Sequence, residues 1–322
     1  MKQQKVPKKY YIDWFSVAPG VWGIKDKFVN VYLVHNPGDN SWVLVDAGLN
    51  TTASKIKRVA EHLFWPEHAP RAIILTHAHF DHVGSLRSLA EEWDVDIYAH
   101  TLEEPYLTGV SSYPPPDPSV GGGMMSYMSC LYPKGPIDVS DRFKILPPDG
   151  AIPFMKGWTY IHTPGHAPGH ISLYRSSDGV LLAGDAFVTT CQESMLAVMT
   201  QKKILSGPPK YFTYNWTSAE SSVKKLAELD IQVASTGHGK PMHGTELVRE
   251  LSNLVKNFRD VAVPSHGRYV NDPALVNREG VQYVPPPQTK GLILKVVGIT
   301  AVAVLGLLLY KHRKSSNSLT FG

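Results

Sequence analysis

The chain has 322 residues, of which 43% are apolar and 19% are charged, and this composition excludes disorder along most of its length. Its two cysteines are too few for a disulfide framework or for a zinc site built from several thiolates. Nine of the 32 basic residues lie within 1–9 and 290–314, so the body keeps 23 basic against 28 acidic residues, and its charge of about −5 argues against a nucleic-acid partner.

Short apolar runs and helix-period stretches follow one another along the body. The runs predict β-strands at 28–34, 42–48, 72–76, 95–100, 158–163, 170–176, 179–185 and 231–237. The amphipathic stretches predict helices at 52–64, 83–93, 218–229 and 245–258. This mixture of meander and βα units indicates an α+β fold, with sheets covered by outer helices, in one domain over residues 1–283 whose core spans about 15–260.

One long segment, residues 105–136, shows no helix or strand period and is rich in Pro, Gly, Met and Tyr. A connection of this length inside a compact domain is usually functional or mobile. We expect it to line an adaptable apolar pocket, because methionine packs softly against varied shapes. The pocket residues would be Met124, Met125, Tyr127 and Met128. The alternative is a surface excursion that covers part of the core.

Four of the predicted strands end in residues that bind metals. The run 72–76 leads into HAHFDH at 77–82, and three later runs lead into His166, Asp185 and His238. If the strands lie side by side, these residues gather at one edge of the sheets. Five histidines and two aspartates without a thiolate suit two open metal sites that share one carboxylate. The candidate metal ligands are His77, His79, Asp81, His82, His166, Asp185 and His238.

The C-terminal run 291–310, GLILKVVGITAVAVLGLLLY, has twenty residues and one charge, Lys295. Its length matches one bilayer crossing, and a buried core helix is the alternative. A proline-rich linker precedes it at 284–290, and a basic polar tail follows at 311–322. The sequence therefore predicts a single-pass C-terminal transmembrane helix in contact with membrane lipids. Since the N-terminus lacks the apolar region of a signal peptide, we expect a cytoplasmic body.

The ligand motifs also carry a family resemblance. HAHFDH, the TPGHAPGH segment at 163–170, the LLAGD that ends at Asp185 and the TGHG around His238 resemble the metallo-β-lactamase superfamily over residues 15–260. The resemblance is greatest to glyoxalase II and lactonase-like hydrolases. It implies a four-layer αββα sandwich and two divalent cations, with zinc first and iron or manganese as alternatives.

The resemblance also implies how the ligands are divided. His77, His79 and His166 would bind the first ion, Asp81, His82 and His238 the second, and Asp185 would bridge them. Classical β-lactamases of this fold carry a cysteine where this chain has Asp185, which argues against antibiotic hydrolysis as the main role.

Several residues near these motifs have two interpretations. Asp46, at the end of WVLVD, either orients a metal ligand from behind or caps the following loop. His162 and His170 flank the TPGH turn and are interpreted as structural. Cys191 is interpreted as a buried thiol, because no base is identifiable near it. The aromatic KYFTYNW stretch at 210–216 either walls a pocket or packs under a sheet, and we favour packing.

We predict a metal-dependent hydrolase in which a hydroxide bridging the two ions attacks an ester, lactone, thioester or related bond. Asp81 is the possible proton shuttle. The small-molecule substrate is expected to be apolar or acylated, because of the Met-rich segment 105–136, the aromatic stretch 210–216 and the predicted membrane anchor. A glutathione-binding basic patch is not identifiable in 239–285, and Val188 stands where lactonase-like relatives carry a tyrosine, which argues against a glutathione thioester and an acyl-homoserine lactone. The alternatives are a mononuclear iron persulfide dioxygenase and a non-catalytic membrane-tethered binding module. The sequence does not determine the oligomeric state.

Overall fold

The structure is a computed structural model that describes residues 14–65 and 68–288. The chain divides into two units, Met1–Pro285 and Pro286–Gly322, and the elements below belong to the first. The predicted domain boundaries stay predictions. The predicted transmembrane helix 291–310 and the tail 311–322 lie outside the described residues. Within residues 14–65 and 68–288, none of the helices has the length and apolar character needed to span a bilayer.

The first sheet has seven strands in chain order, with antiparallel pairing from β1 to β4 and parallel pairing from β4 to β7. Its strands are β1 (Phe15–Ala18), β2 (Val21–Asp26), β3 (Val29–Asn36), β4 (Ser41–Val45), β5 (Ile73–Ile74), β6 (Ile97–Ala99) and β7 (Phe143–Ile145). Because the last four strands are parallel, the chain leaves all of them at the same edge of the sheet.

The second sheet has five strands in the order β12-β11-β10-β9-β8, and a separate two-stranded hairpin, β13 and β14, completes the described chain. The second sheet and the hairpin consist of β8 (Trp158–His162), β9 (Ile171–Arg175), β10 (Val180–Leu182), β11 (Val233–Ser235), β12 (Met242–His243), β13 (Leu275–Asn277) and β14 (Gly280–Tyr283). Within this sheet β10 and β11 run parallel, so Asp185 and His238 follow their strands at one edge.

Three long helices and several short ones connect the strands. They are α1 (Ala53–Phe64), α2 (Phe80–Val83), α3 (Leu86–Trp93), α4 (Glu104–Leu107), α5 (Met124–Met128), α6 (Met195–Thr200), α7 (Trp216–Ala227), α8 (Gly244–Lys256) and α9 (Phe258–Val261). Single 3₁₀ turns lie at Thr101–Glu103, Pro118–Val120, Ser129–Leu131 and Lys210–Phe212.

Alternating burial on the strands produces a layered molecule. Strand β4 is buried on both faces, with Leu44 directed at α1 and α3 and with Val43 and Val45 directed at the second sheet. In the second sheet, Leu182 faces the first sheet while Leu181 packs against α7 and α8. The layers therefore run helix, sheet, sheet, helix, as in the predicted αββα sandwich, and apolar burial on both faces of each sheet stabilises this order.

Several predictions of local structure need correction. The predicted helix 83–93 begins only at Leu86, because the backbone leaves helical geometry at Ser85, where φ is −101° and ψ is 6°. The segment 105–136, predicted to be aperiodic, contains α5 and several short turns. Strands β1, β2, β7 and β12 and the β13–β14 hairpin were not predicted, since they are short or carry polar residues on their exposed face.

Candidate metal centre

The HAHFDH segment begins just beyond β5 at the carboxyl edge of the first sheet. His77 and His79 lie on extended backbone with ring centroids 4.6 Å apart, and α2 then starts at Phe80. This single helical turn places Asp81 and His82 on the other side of the cluster. The change from extended to helical backbone therefore divides one short segment between two groups of ligands.

The second sheet contributes one ligand after each of three strands. His166 lies in the loop between β8 and β9, Asp185 follows β10, and His238 follows β11. Close backbone approach brings them together, since a Cβ on Gly237 would lie 2.0 Å from Asp185 Oδ1. The Asp185 backbone N–H donates to His170 Nε2 over 2.8 Å, which fixes the loop that carries the carboxylate.

All seven predicted ligands lie together in the structure, and each is at least 94% buried. Three groups form, and within each the ligand atoms lie within 4.8 Å of one another. The groups are His77 with His79 and His166, Asp81 with His82 and His238, and His77 with His82 and Asp185. Asp185 Oδ2 lies 3.0 Å from His238 Nε2 and 3.4 Å from His166 Nε2, so its carboxylate is between the two histidine sets.

The donor atoms that face the centre fit divalent cations. Among the described residues, His77 Nε2, His82 Nε2 and Asp185 Oδ1 are buried and have no hydrogen-bond partner. Leaving such atoms unpaired costs about 1–3 kcal/mol each. The opposite nitrogens of these two rings are engaged, with His77 Nδ1 3.1 Å from Thr76 Oγ1 and His82 Nδ1 2.8 Å from Asp46 Oδ2. In these two rings one nitrogen is engaged and the other is free, which is the arrangement of metal-ligating histidines.

The electrostatics divide the cluster into two parts. Burial, together with the neighbouring histidines, lowers the pKa of His77 and His79 well below its usual range, and burial lowers that of His166 to about 3. These three imidazoles are therefore neutral, as metal ligands must be. Burial opposes ionisation of Asp185, but His238 and His82 hold its pKa well below the ordinary value. A neutral histidine set thus lies beside an ionised carboxylate.

Asp46 supports the centre from behind His82. Its carboxylate accepts hydrogen bonds from the Thr76 backbone N–H and hydroxyl over 2.8 Å each, in addition to its contact with His82. Burial alone would lower the pKa of His82, but Asp46 and Asp185 raise it well above the ordinary value. The structure thus shows the contact with a candidate ligand, His82, that the first interpretation of Asp46 requires.

The flanking histidines stay outside the three groups of ligand atoms. His170 is buried, with Nδ1 2.8 Å from Thr163 Oγ1 and Nε2 on the Asp185 backbone. His162 contacts the Pro168 carbonyl and stacks on His100, with ring centroids 4.1 Å apart. Both therefore have structural positions.

Sequence reasoning missed Glu103, which is fully buried and links the two ligand-bearing loops. Its carboxylate accepts hydrogen bonds from the Ala78 N–H at 2.9 Å, the Gly169 N–H at 2.7 Å and the Tyr113 hydroxyl. Burial raises the pKa of Glu103 to about 7, although these hydrogen bonds favour the ionised form. The sequence TLEEPY carries no signal of this role, because the partners are far apart along the chain.

The KYFTYNW stretch is buried, as favoured from the sequence, and it also contacts the centre. The Phe212 ring stacks on His79 with centroids 4.5 Å apart, and the Tyr214 hydroxyl lies 3.2 Å from His79 Nε2. Packing and a site wall were treated as alternatives for these aromatic residues. Both interpretations apply here, because the buried aromatic stretch packs directly over His79.

The predicted pocket residues do not share one environment. Met125 is buried and accepts a contact from the Tyr132 hydroxyl at 3.6 Å, whereas Met124, Tyr127 and Met128 are exposed.

Cys191 is half-buried and donates to Glu193, and burial raises the pKa of its thiol. It is therefore a neutral thiol at physiological pH.

Comparison with known proteins identifies the family. A sequence model of the metallo-β-lactamase superfamily matches residues 24–238. The probable metallo-hydrolase YflN of Bacillus subtilis (strain 168) is 43% identical over 248 residues, which cover 77% of this chain and 94% of its own length. The probable metallo-hydrolase YybB of the same organism is 28% identical over 240 residues, covering 74% of this chain and 88% of its own.

A solved structure agrees at the level of the fold. The crystal structure of a metallo-beta-lactamase family protein from Thermus thermophilus has a TM-score of 0.52 at 22% sequence identity, covering 76% of this chain and 81% of its own. The chain belongs to the metallo-β-lactamase superfamily, and all seven residues of its histidine and aspartate cluster lie within the matched region. Its resemblance to the glyoxalase II and lactonase-like branch stays a prediction.

Proposed function

We propose that the protein is a dinuclear metal-dependent hydrolase acting on an ester, lactone, thioester or related bond. The observation that carries this proposal is the pair of histidine and aspartate triads with Asp185 between them. Within this cluster His77 Nε2, His82 Nε2 and Asp185 Oδ1 are buried and have no hydrogen-bond partner among the described residues. Zinc is the first candidate for both ions, since the ligands are imidazole and carboxylate without thiolate.

Each residue of the centre then has a chemical role. When bound, two divalent cations polarise a substrate oxygen and lower the pKa of a water molecule. Asp185 would hold the two ligand sets at a fixed separation. Asp81 lies 3.6 Å from His238 Nε2, and burial raises the pKa of its carboxyl, so it suits accepting a proton and returning it to a leaving group.

The walls of the site support an apolar or acylated small-molecule substrate. Phe212 and Phe80 lie beside His79, with their ring centroids 6.2 Å apart. Val188 is buried and pairs with Ser206 through the backbone, so a substrate carbonyl would find no phenol at this position. These features favour an acyl chain over the polar head of a homoserine lactone.

We also propose that residues 291–310 anchor the body to a membrane from the cytoplasmic side. The support is the sequence, which combines a twenty-residue apolar run with a proline-rich linker before it. Protease treatment of intact cells tests the orientation, because digestion of the body from outside would contradict it.

The hydrolase proposal is tested by metal analysis of the purified full chain, followed by a screen of ester, lactone, thioester and phosphodiester substrates. We expect two ions per chain and hydrolysis that is lost on chelation. Asp185→Asn should lose metal and activity together, and His62→Gln, an exposed histidine on α1, should retain both.

The other outcomes overturn the proposal in distinguishable ways. One iron per chain with oxygen consumption on a persulfide would establish the dioxygenase alternative. Two ions without turnover of any substrate class would favour a binding module. Full hydrolysis by the metal-free Asp185→Asn variant would remove the metal from the mechanism.

A further inference from the structure

Two short helices present large apolar side chains to solvent. On α5 these side chains follow helical spacing, with Met124 54% exposed, and on α6 Leu196 and Met199 are 72% and 74% exposed. We call the combined surface the apolar face; it comprises Met124, Tyr127, Met128, Met195, Leu196 and Met199. Single exposed apolar residues are ordinary, but a contiguous set marks an interaction surface.

The two helices are neighbours in space although they lie far apart in the sequence. The Met125 backbone N–H donates to the Glu193 carbonyl over 3.1 Å, immediately before α6. A Cβ on Gly123 would lie 2.4 Å from the same carbonyl oxygen, so the N-terminal ends of both helices meet there. The apolar face therefore belongs to two helices that are neighbours in space.

The helices are already packed on their inner side. Met125 and Ser126 of α5 are buried, as are Ala197 and Val198 of α6. The exposed methionines and leucine are thus not part of the buried core. Apolar side chains on both the inner and the outer side of a short helix indicate a second apolar environment outside the protein.

The charges around the apolar face favour an anionic partner. Residues 120–134 and 194–203 contain no aspartate or glutamate. The exposed Lys134 and Lys202 follow the two helices. An apolar surface bordered by lysines matches the interface of an anionic bilayer, where acyl chains lie beneath negative headgroups.

Strand β14 lies near the end of the described residues. The Val281 backbone N–H of β14 donates to Ser111 Oγ over 3.2 Å, and the Ser112 hydroxyl donates to the Gly135 carbonyl over 2.8 Å. Strand β14 therefore contacts the segment 105–136 that carries α5. The predicted membrane span 291–310 begins only a few residues further along the chain.

Aromatic contacts connect the apolar face with the metal centre. Tyr132 touches buried Met125 and lies 5.4 Å from the Phe80 ring. Phe80 in turn lies 6.2 Å from Phe212, which stacks on His79. A row of packed aromatic rings therefore leads from the buried side of α5 to His79 of the candidate metal centre.

We propose that the apolar face docks on the surface of an anionic lipid bilayer and that the enzyme draws its substrate, an ester-type amphiphile with a long acyl chain, from that bilayer. The substrate part of this inference rests on the hydrolase function proposed above. The docking part does not depend on catalysis.

Depth measurement by spin labelling tests the docking. The full chain carrying Cys130→Ser and Cys191→Ser receives a single Leu196→Cys or Met199→Cys label, with Glu61→Cys on the exposed side of α1 as the matched control. In vesicles of phosphatidylcholine and phosphatidylglycerol, we expect the ratio of oxygen to nickel-chelate accessibility to be several-fold higher at 196 and 199 than at 61.

Three results would overturn the docking. Equal ratios at 196, 199 and 61 would place the apolar face in water. Low accessibility to both reagents, with dipolar broadening between labels, would show that a second copy of the chain covers this face. Low accessibility without broadening would indicate coverage by another segment of the same chain, which also contradicts bilayer contact.

Kinetics test the substrate part. The double variant Leu196→Gln, Met199→Gln should lose several-fold in turnover of a long-chain ester embedded in vesicles while turnover of a short water-soluble ester is unchanged. Equal turnover of the embedded ester by variant and parent would overturn delivery from the bilayer. If the depth measurement succeeds but neither ester is cleaved by the parent, the hydrolase proposal fails and the docking stands.

Discussion

The two sheets build the metal centre in different ways. The first sheet supplies four candidate ligands from the six consecutive residues 77–82, after a single strand. The second sheet supplies three ligands from three loops, and these residues are separated by 19 and 53 positions along the chain. A contiguous motif is arranged by local backbone, whereas a dispersed set depends on how closely the loops approach one another.

The supporting contacts differ accordingly. On the first sheet, the carboxylates of Asp46 and Glu103 hold the motif through hydrogen bonds to His82 and to the Ala78 backbone. On the second sheet, the main device is the absence of a side chain at Gly237, which lets Asp185 and His82 approach. We therefore expect the motif at 77–82 on the first sheet to tolerate small changes of side-chain volume. On the second sheet, we expect position 237 to tolerate no added side-chain volume.

The largest effect is expected for Gly237→Ala. The added methyl group would overlap Asp185 Oδ1 at 2.0 Å and press on His82 Cε1 at 2.9 Å, so the carboxylate must shift. A displacement of about 1 Å at a reacting centre costs roughly 10²-fold in rate. The hydrolysis rate should therefore fall by about 10²-fold or more. The metal content, measured on the same preparation, should fall by one ion or more per chain.

Gly38→Ala provides the matched control, because a Cβ there would meet nothing within 4 Å. It should retain two ions and full activity. Normal metal content in Gly237→Ala would show that the candidate ligands of the second sheet do not depend on the close approach of the chain at position 237. The proposed difference between the two sheets would then be wrong.

A smaller effect is expected for Asp46→Asn. Asparagine tolerates the left-handed backbone at this position, where φ is 62°, so the local fold should be kept. The amide removes the negative charge that faces His82 Nδ1, and loss of such a supporting contact lowers metal affinity by about 10- to 100-fold. Competition with a chelator measures the affinity, and Asp39→Asn, an exposed residue in a turn, should leave it unchanged.

The smallest effect concerns His100 and His162, which join the ends of β6 and β8 without a place in the three groups of ligand atoms. Burial, with His162 next, lowers the pKa of His100 from 6.5 to about 4. Since the folded state favours the neutral ring, its stabilisation is present above pH 6.5 and is lost as the pH falls towards 4.

We therefore expect the free energy of unfolding to decrease over this range, and we expect the decrease to be smaller in His100→Gln. Denaturant titrations at a series of pH values measure it, and proton NMR of the ring follows the titration directly. A pKa of 6.5 or above for the His100 ring would contradict the expected pH dependence of the free energy of unfolding. It would also show that burial does not act on His100 and His162 as it does on the buried histidines of the candidate metal centre.

Much of the fold was predictable because its signals are local. The helices α1, α7 and α8 and the central strands of both sheets begin and end within a few residues of their predicted positions. The short edge strands were missed because they bury few side chains. Helix α2 was not separated from α3 because no proline marks the break at Ser85. The predicted anchor at 291–310 remains a prediction from length and hydropathy.

The sequence by itself determined the type and number of the candidate ligands, since strand ends and the dense HAHFDH motif are visible in a single chain. Only the tertiary structure decided what lies behind and over them. Glu103, Tyr214 and Phe212 reach the centre from loops distant in sequence, and neither their spacing nor their residue type marks such a contact. The physical reason is that ligand chemistry belongs to individual side chains, whereas orientation and burial arise only when separate segments pack together.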